Sequence, residues 1–560
     1  MERVFNGLAD RLPPRARIIN LVIWTLVWIA AIRLAVLVHL AFLTYWPDHF
    51  IHEDSAAYLS EAQSILTGHY LDDTGRRPYG VAFFFVLLSR LFSPNILVFV
   101  TAQYVLSILT ALIVAAVVRL AGAPKIFALF AFLSAALYGR TIHYDNTVGA
   151  ETISVFLMAL AVIIAAGLGF RKWPPIFSAL GLGLSLGAMM ICRSAAVGPA
   201  AIILLWLLIQ LDFRWPRRLA VVVLAGTVAS VMYLVPTGIN WMIGKHPNGN
   251  ETVAVMAFVV GYSGDFDHGV HLDRKAQARK FVNEQRAADT PTGWPDGGVY
   301  QWPFRAVALM QKPTDSAADT AQFVRDVFIE TLTTPSTLWR HLSKHFAREM
   351  YFLLFDGNPV ARRAQNPQGY EFFVHRDVFP FFKSPTGLQY RRLIYDHYRR
   401  PRLLSWLLPS PERLQTRLDR LMTYGYSPRP DLAPLPCCGL TISSEYDDLP
   451  GPIRWYSAST LLLLVLLVAG EIARRLGLLA PLPRNLVSGG FLMALLALVN
   501  AAFPAFLIYG LNRYAYYVAP FLAGATAMFG AVLFHWAGLV AERLYSKTVA
   551  RPTAPQIDRA

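Results

Sequence analysis

Long uninterrupted apolar runs constrain this chain more than any other feature. A hydrocarbon core about 30 Å thick is crossed by about 20 residues of α-helix. Such a segment must satisfy its backbone N–H and C=O groups internally, which a helix does. Ten runs approach this length: residues 19–45, 96–118, 125–139, 151–170, 174–191, 195–211, 218–236, 455–473, 485–508 and 516–540. They predict an all-α polytopic membrane protein with about ten transmembrane helices.

Composition agrees with that prediction. Hydrophobic residues make up 55% of the 560 residues and charged residues only 16%, whereas soluble domains carry about 25% charged residues. The first run is too long for the apolar core of a signal peptide and lacks an evident small-residue cleavage site. We therefore expect it to remain as a membrane helix. It contains Arg33 and His39. A charged side chain is costly in lipid, so Arg33 should face the bundle or a wet cavity, and the two residues suit a structural pair with an acid that the sequence does not identify.

The net charge of +15 is concentrated in the termini and in four connections between runs. By the positive-inside rule these segments face the cytoplasm, and ten spans return the C-terminus to the side of the N-terminus. The sequence therefore predicts cytoplasmic termini, and it gives no reason to expect nucleic-acid binding. The basic connections contain Arg119 and Lys125; Arg171 and Lys172; Arg214, Arg217 and Arg218; and Arg474, Arg475 and Arg484.

The same topology divides the chain into three parts. Residues 1–236 form an N-terminal transmembrane module, 237–452 a large extracytoplasmic loop domain of mixed composition, and 453–560 the C-terminal helices and a cytoplasmic tail. Within the loop, Ser336–Leu354 reads as an amphipathic helix suited to a membrane surface. Asp265 to Asp273 contains ligand-type side chains without a recognised metal spacing, so we interpret it as a solvated turn and assign no metal site.

A polar stretch from His52 to Gly80 lies between the first two runs, on the predicted outer side. Its spacing predicts two interfacial helices, 54–68 and 79–92, the first beginning at Asp54. Asp54 is either a helix cap or a catalytic carboxylate. Arg76 and Arg77 precede the second helix and are candidates for binding a phosphate.

Three other predicted outer connections carry polar groups. His143, Asp145 and Glu151 lie before the fourth run, where Glu151 also fits simple stabilisation by the helix dipole. Arg193 lies between two apolar runs. An arginine that only extends its charged group to the membrane interface is also found at such a position. Arg513 lies among tyrosines, which suits either an interfacial aromatic belt or an anion clamp.

These features resemble the GT-C superfamily of integral-membrane glycosyltransferases. The pattern is most similar to the bacterial branch that includes protein O-mannosyltransferases, the lipid A aminoarabinose transferase and rhizobial lipopolysaccharide galacturonosyltransferases. It covers roughly the first 200 residues and the last 50. The matching positions are Asp54-x-x-x-Tyr58, Ala62, Leu66-x-Gly68, Arg77-Pro78-Tyr79, an acidic residue opening the fourth run, and Arg513-Tyr514 before Pro520.

The resemblance implies an inverting glycosyltransferase of a bacterial inner membrane. Its donor would be a polyprenyl-phosphate sugar, and its acceptor a hydroxyl of an envelope glycan, lipid or protein. Asp54 takes the position of the general base, with Glu53 as the alternative carboxylate and Tyr58 as a supporting residue. Arg77, with Arg76, takes the position that binds the donor phosphate. No cofactor is required, although a divalent metal is compatible with the chemistry.

The resemblance also covers the later motifs. Asp145 and Glu151 match the second acidic motif, and Arg513 matches an arginine that lines the donor pocket; His143 and Arg193 are candidate supporting residues. The main alternative is a polytopic transporter or lipid-linked sugar flippase. The sequence shows no internal repeat, and its acidic groups lie at the ends of apolar runs, two features that favour the transferase over the transporter.

Overall fold

The structure is a computed structural model of the whole chain. The residues that it describes are 14–45, 55–68, 79–92, 96–138, 141–142, 145, 148–211, 214–242, 249–288, 302–351, 353–354, 451–476, 482–507 and 512–549. Every regular element in these ranges is helical. The predicted all-α class is therefore confirmed for this part of the chain.

The membrane-type helices form one bundle around a continuous apolar core. Eight of them contain segments long and apolar enough to cross a bilayer. The bundle helices are α1 (Pro14–Tyr45), α4 (Ile96–Leu120), α5 (Lys125–Ala136), α6 (Glu151–Gly169), α7 (Pro175–Cys192), α8 (Val197–Gln210), α9 (Trp215–Met242), α16 (Gly451–Arg475), α17 (Arg484–Leu507) and α18 (Asn512–Val549). The helices shorter than a full span are α5, with 12 residues, and α8, with 14.

Helix α8 nevertheless runs between the two ends of the bundle. At its start, Gly198 packs against Phe503 near the end of α17. At its end, the Gln210 side chain accepts a hydrogen bond of 2.6 Å from the Ser488 hydroxyl, near the start of α17. Helix α8 therefore packs antiparallel to α17 and extends along most of it. Because α17 is itself a candidate span, α8 lies in the position of a helix that crosses the bundle. The predicted run at 195–211 is thus a helix of the bundle, but with 14 residues it is shorter than a full membrane span.

The basic connections lie together at one end, which we call the basic end. Gln210 and Ser488 meet there, as described, close to the connections after α8 and before α17. A Cβ on Gly489 would lie 2.7 Å from Cβ of Ala121 and 3.6 Å from the Phe170 ring, which brings in the connections after α4 and α6. The fold therefore gathers charges that are separated in sequence, as the predicted topology requires.

Helices α7 and α9 pack closely because α7 carries small residues. A Cβ on Gly183 would lie 2.6 Å from the Ala225 carbonyl oxygen, and one on Gly187 would lie 2.6 Å from Met232 Cβ. The Gly-x-x-x-Gly spacing puts both glycines on one helix face, where it permits close approach of two backbones in a membrane.

Helix α1 packs through a narrow stripe. Its buried residues Ala31, Ala35 and His39 follow an i, i+4, i+8 spacing, which defines one helix face. Arg33 was expected to face the bundle or a wet cavity, but its side chain is exposed. The prediction is wrong because Arg33 lies about 200° around the helix from Ala31, on the opposite face.

Helices are present at both positions predicted to be interfacial: α2 (Ser55–Leu66) and α3 (Tyr79–Leu91). Tyr58, Leu59 and Ala62 of α2 are buried, and the two helices pack against each other. Their location at the bilayer surface stays a prediction.

The described part of the 237–452 segment is a small helical unit with its own apolar core. It is composed of α10 (Gly249–Ser263), α11 (Leu272–Ala288), α12 (Trp302–Met310), α13 (Ala317–Thr333), α14 (Pro335–Arg340), a π-helical turn (His341–Phe346) and α15 (Ala347–Tyr351). The predicted amphipathic helix corresponds to the continuous segment 335–351. Its polar side chains His341, His345 and Glu349 are buried in protein, while Trp339 is 69% exposed.

The turn between α10 and α11 is ordered by its acidic residues. Asp265 accepts hydrogen bonds from the backbone N–H groups of Asp267 and His268, at 2.8 and 3.1 Å. These bonds, with a third from the His268 ring at 3.2 Å, lower the pKa of Asp265 against the opposing effect of its partial burial. No group of three or more metal-type ligands occurs in the described ranges.

Candidate functional site

The end of the bundle opposite the basic end contains a cluster of buried polar residues, and we call it the site end. Two groups of interacting residues form this cluster. The first is built on Arg193 and the second on Asp145, and adjacent residues in the first turn of α6, Glu151 and Thr152, connect them.

Arg193 lies in the short connection between α7 and α8. Its Nη1 donates a hydrogen bond of 2.9 Å to Oε1 of Glu151 and also contacts the hydroxyl of Tyr517 in α18. The guanidinium carbon lies 4.5 Å from the centre of the Tyr517 ring. Two helices, α6 and α18, thus hold one cation, in a geometry that combines an ion pair with a cation–π contact. Their contact residues lie 42 and 324 positions from Arg193 in sequence.

This ion pair is mostly but not completely buried. The side chains of Arg193 and Glu151 are 12% and 13% exposed. The position of Glu151 in the first turn of α6 adds a favourable interaction with the positive end of the helix dipole. Both side chains thus keep a small exposed fraction within a largely buried pair.

Asp145 is completely buried. Its Oδ1 accepts a hydrogen bond of 2.8 Å from the Thr152 hydroxyl, and its Oδ2 lies 3.5 Å from His39 Nε2. Its backbone carbonyl accepts a bond of 3.2 Å from Gln103. Asp145 therefore joins α1 and α6 through its carboxylate, and α4 through its backbone carbonyl, from the inside of the protein.

The orientation of the His39 ring follows from its hydrogen bond. Nδ1 lies 2.8 Å from the Ala35 carbonyl oxygen, which can only accept, so Nδ1 carries a proton. Nε2 then faces Oδ2 of Asp145 across 3.5 Å. The edge of the Tyr104 ring packs on the imidazole with centroids 5.0 Å apart. The pair is a buried acid–base unit inside a membrane bundle.

The entry of α3 adjoins the same site. A Cβ on Gly80 would lie 2.7 Å from both the backbone nitrogen and the sulfur of Cys192, so only glycine fits this contact. Cys192 immediately precedes Arg193. The chain that follows Arg76 and Arg77 thus enters helix α3 directly beside the Arg193 connection.

Several predicted residues lie outside the described residues: Glu53, Asp54, Arg76, Arg77 and His143. Arg513 lies in the first turn of α18, but its side chain is not among those described. Tyr58 is 6% exposed on α2. Of the predicted site residues that are described, Asp145, Glu151 and Arg193 meet at the site end.

Sequence analysis missed three participants. Tyr517 was seen only as one of several tyrosines in a predicted aromatic belt, and Thr152 and Gln103 had no distinguishing signal. His39 was noted as a polar residue in an apolar run that needed an acidic partner. The structure identifies that partner as Asp145.

The helical unit of residues 249–351 contacts the bundle near the site end. His341 Nε2 donates a hydrogen bond of 2.7 Å to the Phe506 carbonyl oxygen, in the last turn of α17. Its Nδ1 therefore accepts a bond of 2.8 Å from the Ser263 hydroxyl of α10. Burial is the largest influence on the pKa of His341 and lowers it, with the Phe506 bond opposing this effect. A neutral imidazole thus satisfies a helix-end carbonyl that α17 cannot satisfy itself.

Fold and site define a polytopic α-helical membrane protein with a polar, partly accessible cluster at one end of its bundle. Comparisons with protein families, with curated proteins and with solved structures found no match.

Proposed function

We propose that this protein is an inverting glycosyltransferase that moves a sugar from a polyprenyl-phosphate donor to an acceptor hydroxyl. The observation that carries the proposal is the convergence of Arg193, Glu151 and Tyr517 from three separate segments, beside helix α3. A fixed, partly accessible guanidinium in a poorly hydrated site suits a leaving phosphate group. The motif resemblance supplies the reaction class.

In the proposed reaction, the acceptor oxygen forms a bond to the anomeric carbon as the bond from that carbon to the donor phosphate oxygen breaks. The hydroxyl proton passes to the carboxylate of Asp54, and polyprenyl phosphate leaves with the bonding electron pair. Proton removal by a positioned carboxylate contributes about 10²- to 10⁴-fold. Arg77 and Arg193 are assigned to the phosphate, with Arg76 and Arg513 as further donor-side cations.

The two acids of the later motif receive different roles. Asp145 is completely buried, so in this proposal it is a positioning residue that holds α1 and α6 together. Glu151 orients Arg193 through their 2.9 Å hydrogen bond. Neither needs to touch the substrates.

The reaction takes place, in this proposal, on the extracytoplasmic side of a bacterial inner membrane. The support is the separation of the basic end from the site end, because lysine and arginine excess marks the cytoplasmic side. Membrane lipids surround the bundle, and the acceptor arrives as an envelope glycan, lipid or protein.

A transporter or flippase is the second candidate, because the buried His39–Asp145 pair is of a type found in proton-coupled carriers. The two candidates differ in covalent chemistry. Only the transferase changes the mass of an envelope glycan or lipid by one sugar, whereas a carrier moves its substrate unchanged.

The deciding experiment is mass spectrometry of envelope glycolipids and glycans from cells with the protein, without it, and with Asp54→Asn. We expect one sugar-bearing product in the first cells only. Asp267→Asn is the matched control, since this carboxylate is 59% exposed in the helical unit, and it should leave the product intact. An Asp54→Asn protein with normal product levels would remove Asp54 from the reaction. Identical envelope profiles with and without the protein would overturn the transferase.

A further inference from the structure

A cavity of about 610 Å³ lies at the basic end, between α8, α16, α17 and α18. Its volume is within the range of about 300–1,000 Å³ typical of ligand sites. Apolar side chains form most of its wall, among them Ile202, Leu467, Phe491 and Leu495. The site end lies at the other end of the same helices, so this cavity is separate from the proposed active site.

The cavity is open towards the lipid. Leu205 and Ile209 belong to its wall and are 52% and 68% exposed. On a bundle helix such apolar exposure faces acyl chains. A lipid tail therefore has a direct lateral route into the cavity, whereas a polar solute has none from this side.

Positive charge dominates the mouth of the cavity. Arg474 and Arg484 line it together with one acidic residue, Glu471. Glu471 is shared, because it accepts hydrogen bonds from Arg474 at 2.6 and 2.7 Å and from Arg475 at 3.0 Å. Among the described lining residues, two guanidinium groups lie beside one carboxylate, and this net positive charge suits an anionic head group.

The neutral polar groups of the wall are few. Trp536 lines the cavity, but its indole Nε1 is buried in protein and is out of reach of a ligand. Gln210 and Ser488 are bonded to each other at 2.6 Å. The charged side chains at the mouth are therefore the main polar partners that the cavity offers to a ligand.

We propose that this cavity is a binding site for an anionic phospholipid of the membrane leaflet at the basic end. One acyl chain occupies the apolar wall between α8 and α17, and the phosphate lies against Arg474 and Arg484. Anionic lipids are drawn to clustered arginines at a membrane surface. The proposal does not depend on the proposed transferase activity.

The test uses the full chain in detergent micelles, with native mass spectrometry to measure binding of dioleoyl-phosphatidylglycerol and dioleoyl-phosphatidylcholine. We expect the wild type to bind the anionic lipid more tightly. The double variant Arg474→Ala/Arg484→Ala should weaken that binding by about tenfold, equivalent to about 1.4 kcal/mol, and remove the preference between the two lipids. Arg214→Ala/Arg217→Ala removes the same charge from the basic end outside the cavity wall and should change neither affinity.

Two further variants separate the site from folding defects. Val487→Trp fills the cavity from its wall and should reduce binding of both lipids. Trp536→Phe keeps an aromatic ring in the wall and removes an N–H that a ligand cannot reach, so it should change neither affinity and serves as the control for a substitution in the wall. Equal binding of the two lipids by the wild type would overturn the proposal. So would an Arg214/Arg217 variant that loses as much affinity as the Arg474/Arg484 variant, or a Val487→Trp protein that binds like the wild type.

Discussion

The ion pair at the site end is mostly buried and joins separate segments of the fold, whereas the ion pairs of Glu471 at the basic end are exposed and lie within one helix. Arg193 and Glu151 are 12% and 13% exposed and lie 42 positions apart in sequence. Glu471 is 44% exposed, and its partners Arg474 and Arg475 are three and four positions away on α16.

The difference shows which charges depend on the tertiary structure. A pair three or four residues apart on a helix forms whenever the helix forms, and on an exposed surface it adds little stability. A pair that connects α6 to the end of α7 exists only in the assembled bundle. Removing one partner then leaves a charge that is poorly solvated.

The prediction with the largest expected effect concerns which end of the bundle faces the cytoplasm. A periplasmic-type reporter, active only outside the cytoplasm, should be active when fused near residue 300 and inactive when fused at the Arg171–Lys172 connection. The physical reason is that lysine and arginine excess keeps a loop on the cytoplasmic side. Activity at both fusion points, or at Arg171–Lys172 alone, would contradict the assignment of the two ends.

The next test is a double-mutant cycle on the buried pair. Arg193→Gln and Glu151→Gln should each lower the free energy of unfolding by about 3–5 kcal/mol, because each leaves one charge without its partner. The double variant should lose less than the sum of the two single losses. Thermal unfolding in detergent measures all four proteins, and strictly additive losses would show that the two side chains do not depend on each other.

The contact between the helical unit and α17 should weaken in acid. Burial lowers the pKa of His341 from its usual value near 6.5, so the unfolded chain binds this proton more readily than the folded one. Its contribution to stability is therefore present above about pH 6.5 and is lost as the pH falls towards the lower folded pKa.

His341→Gln provides the check on this residue. Thermal unfolding between pH 5 and pH 8 should show a smaller loss towards acid in the variant than in the wild type. The ring of His345 lies beside that of His341, with 5.1 Å between the two centroids. His345→Gln is therefore the matched control. An unchanged pH profile in His341→Gln would assign the acid sensitivity elsewhere.

The smallest effect is expected at the basic end. Glu471→Gln removes the carboxylate shared by Arg474 and Arg475, but the pair is exposed and local. We expect no measurable change in Tm and, by removing negative charge from the cavity mouth, somewhat tighter binding of dioleoyl-phosphatidylglycerol. A clear fall in Tm would show that this surface pair matters as much as the buried one.

Much of the architecture could be predicted from sequence because hydropathy over a helix length depends on local residues alone. The eight longest apolar segments and the helices at α2 and α3 all follow from such runs. The two short bundle helices were less well defined, since α5 and α8 are bundle members through their contacts with α18 and α17 rather than through their own length.

The candidate site was only partly predictable. Asp145, Glu151 and Arg193 were identifiable as polar groups at the ends of apolar runs. Their partners were not, because Tyr517 lies 324 positions from Arg193 and His39 is in the first helix, far from Asp145.

The sequence alone determined that this chain is a helical membrane protein whose interhelical connections fall into a basic set and a less basic set. The reason is that the length of an apolar run and the charge of a connection are properties of each segment by itself. Only the tertiary structure decided that Arg193 is held by Glu151 and Tyr517, that His39 faces Asp145, and that a cavity opens beside Arg474, Arg484 and Trp536. These contacts join segments from different helices, and their geometry is set by how the helices pack.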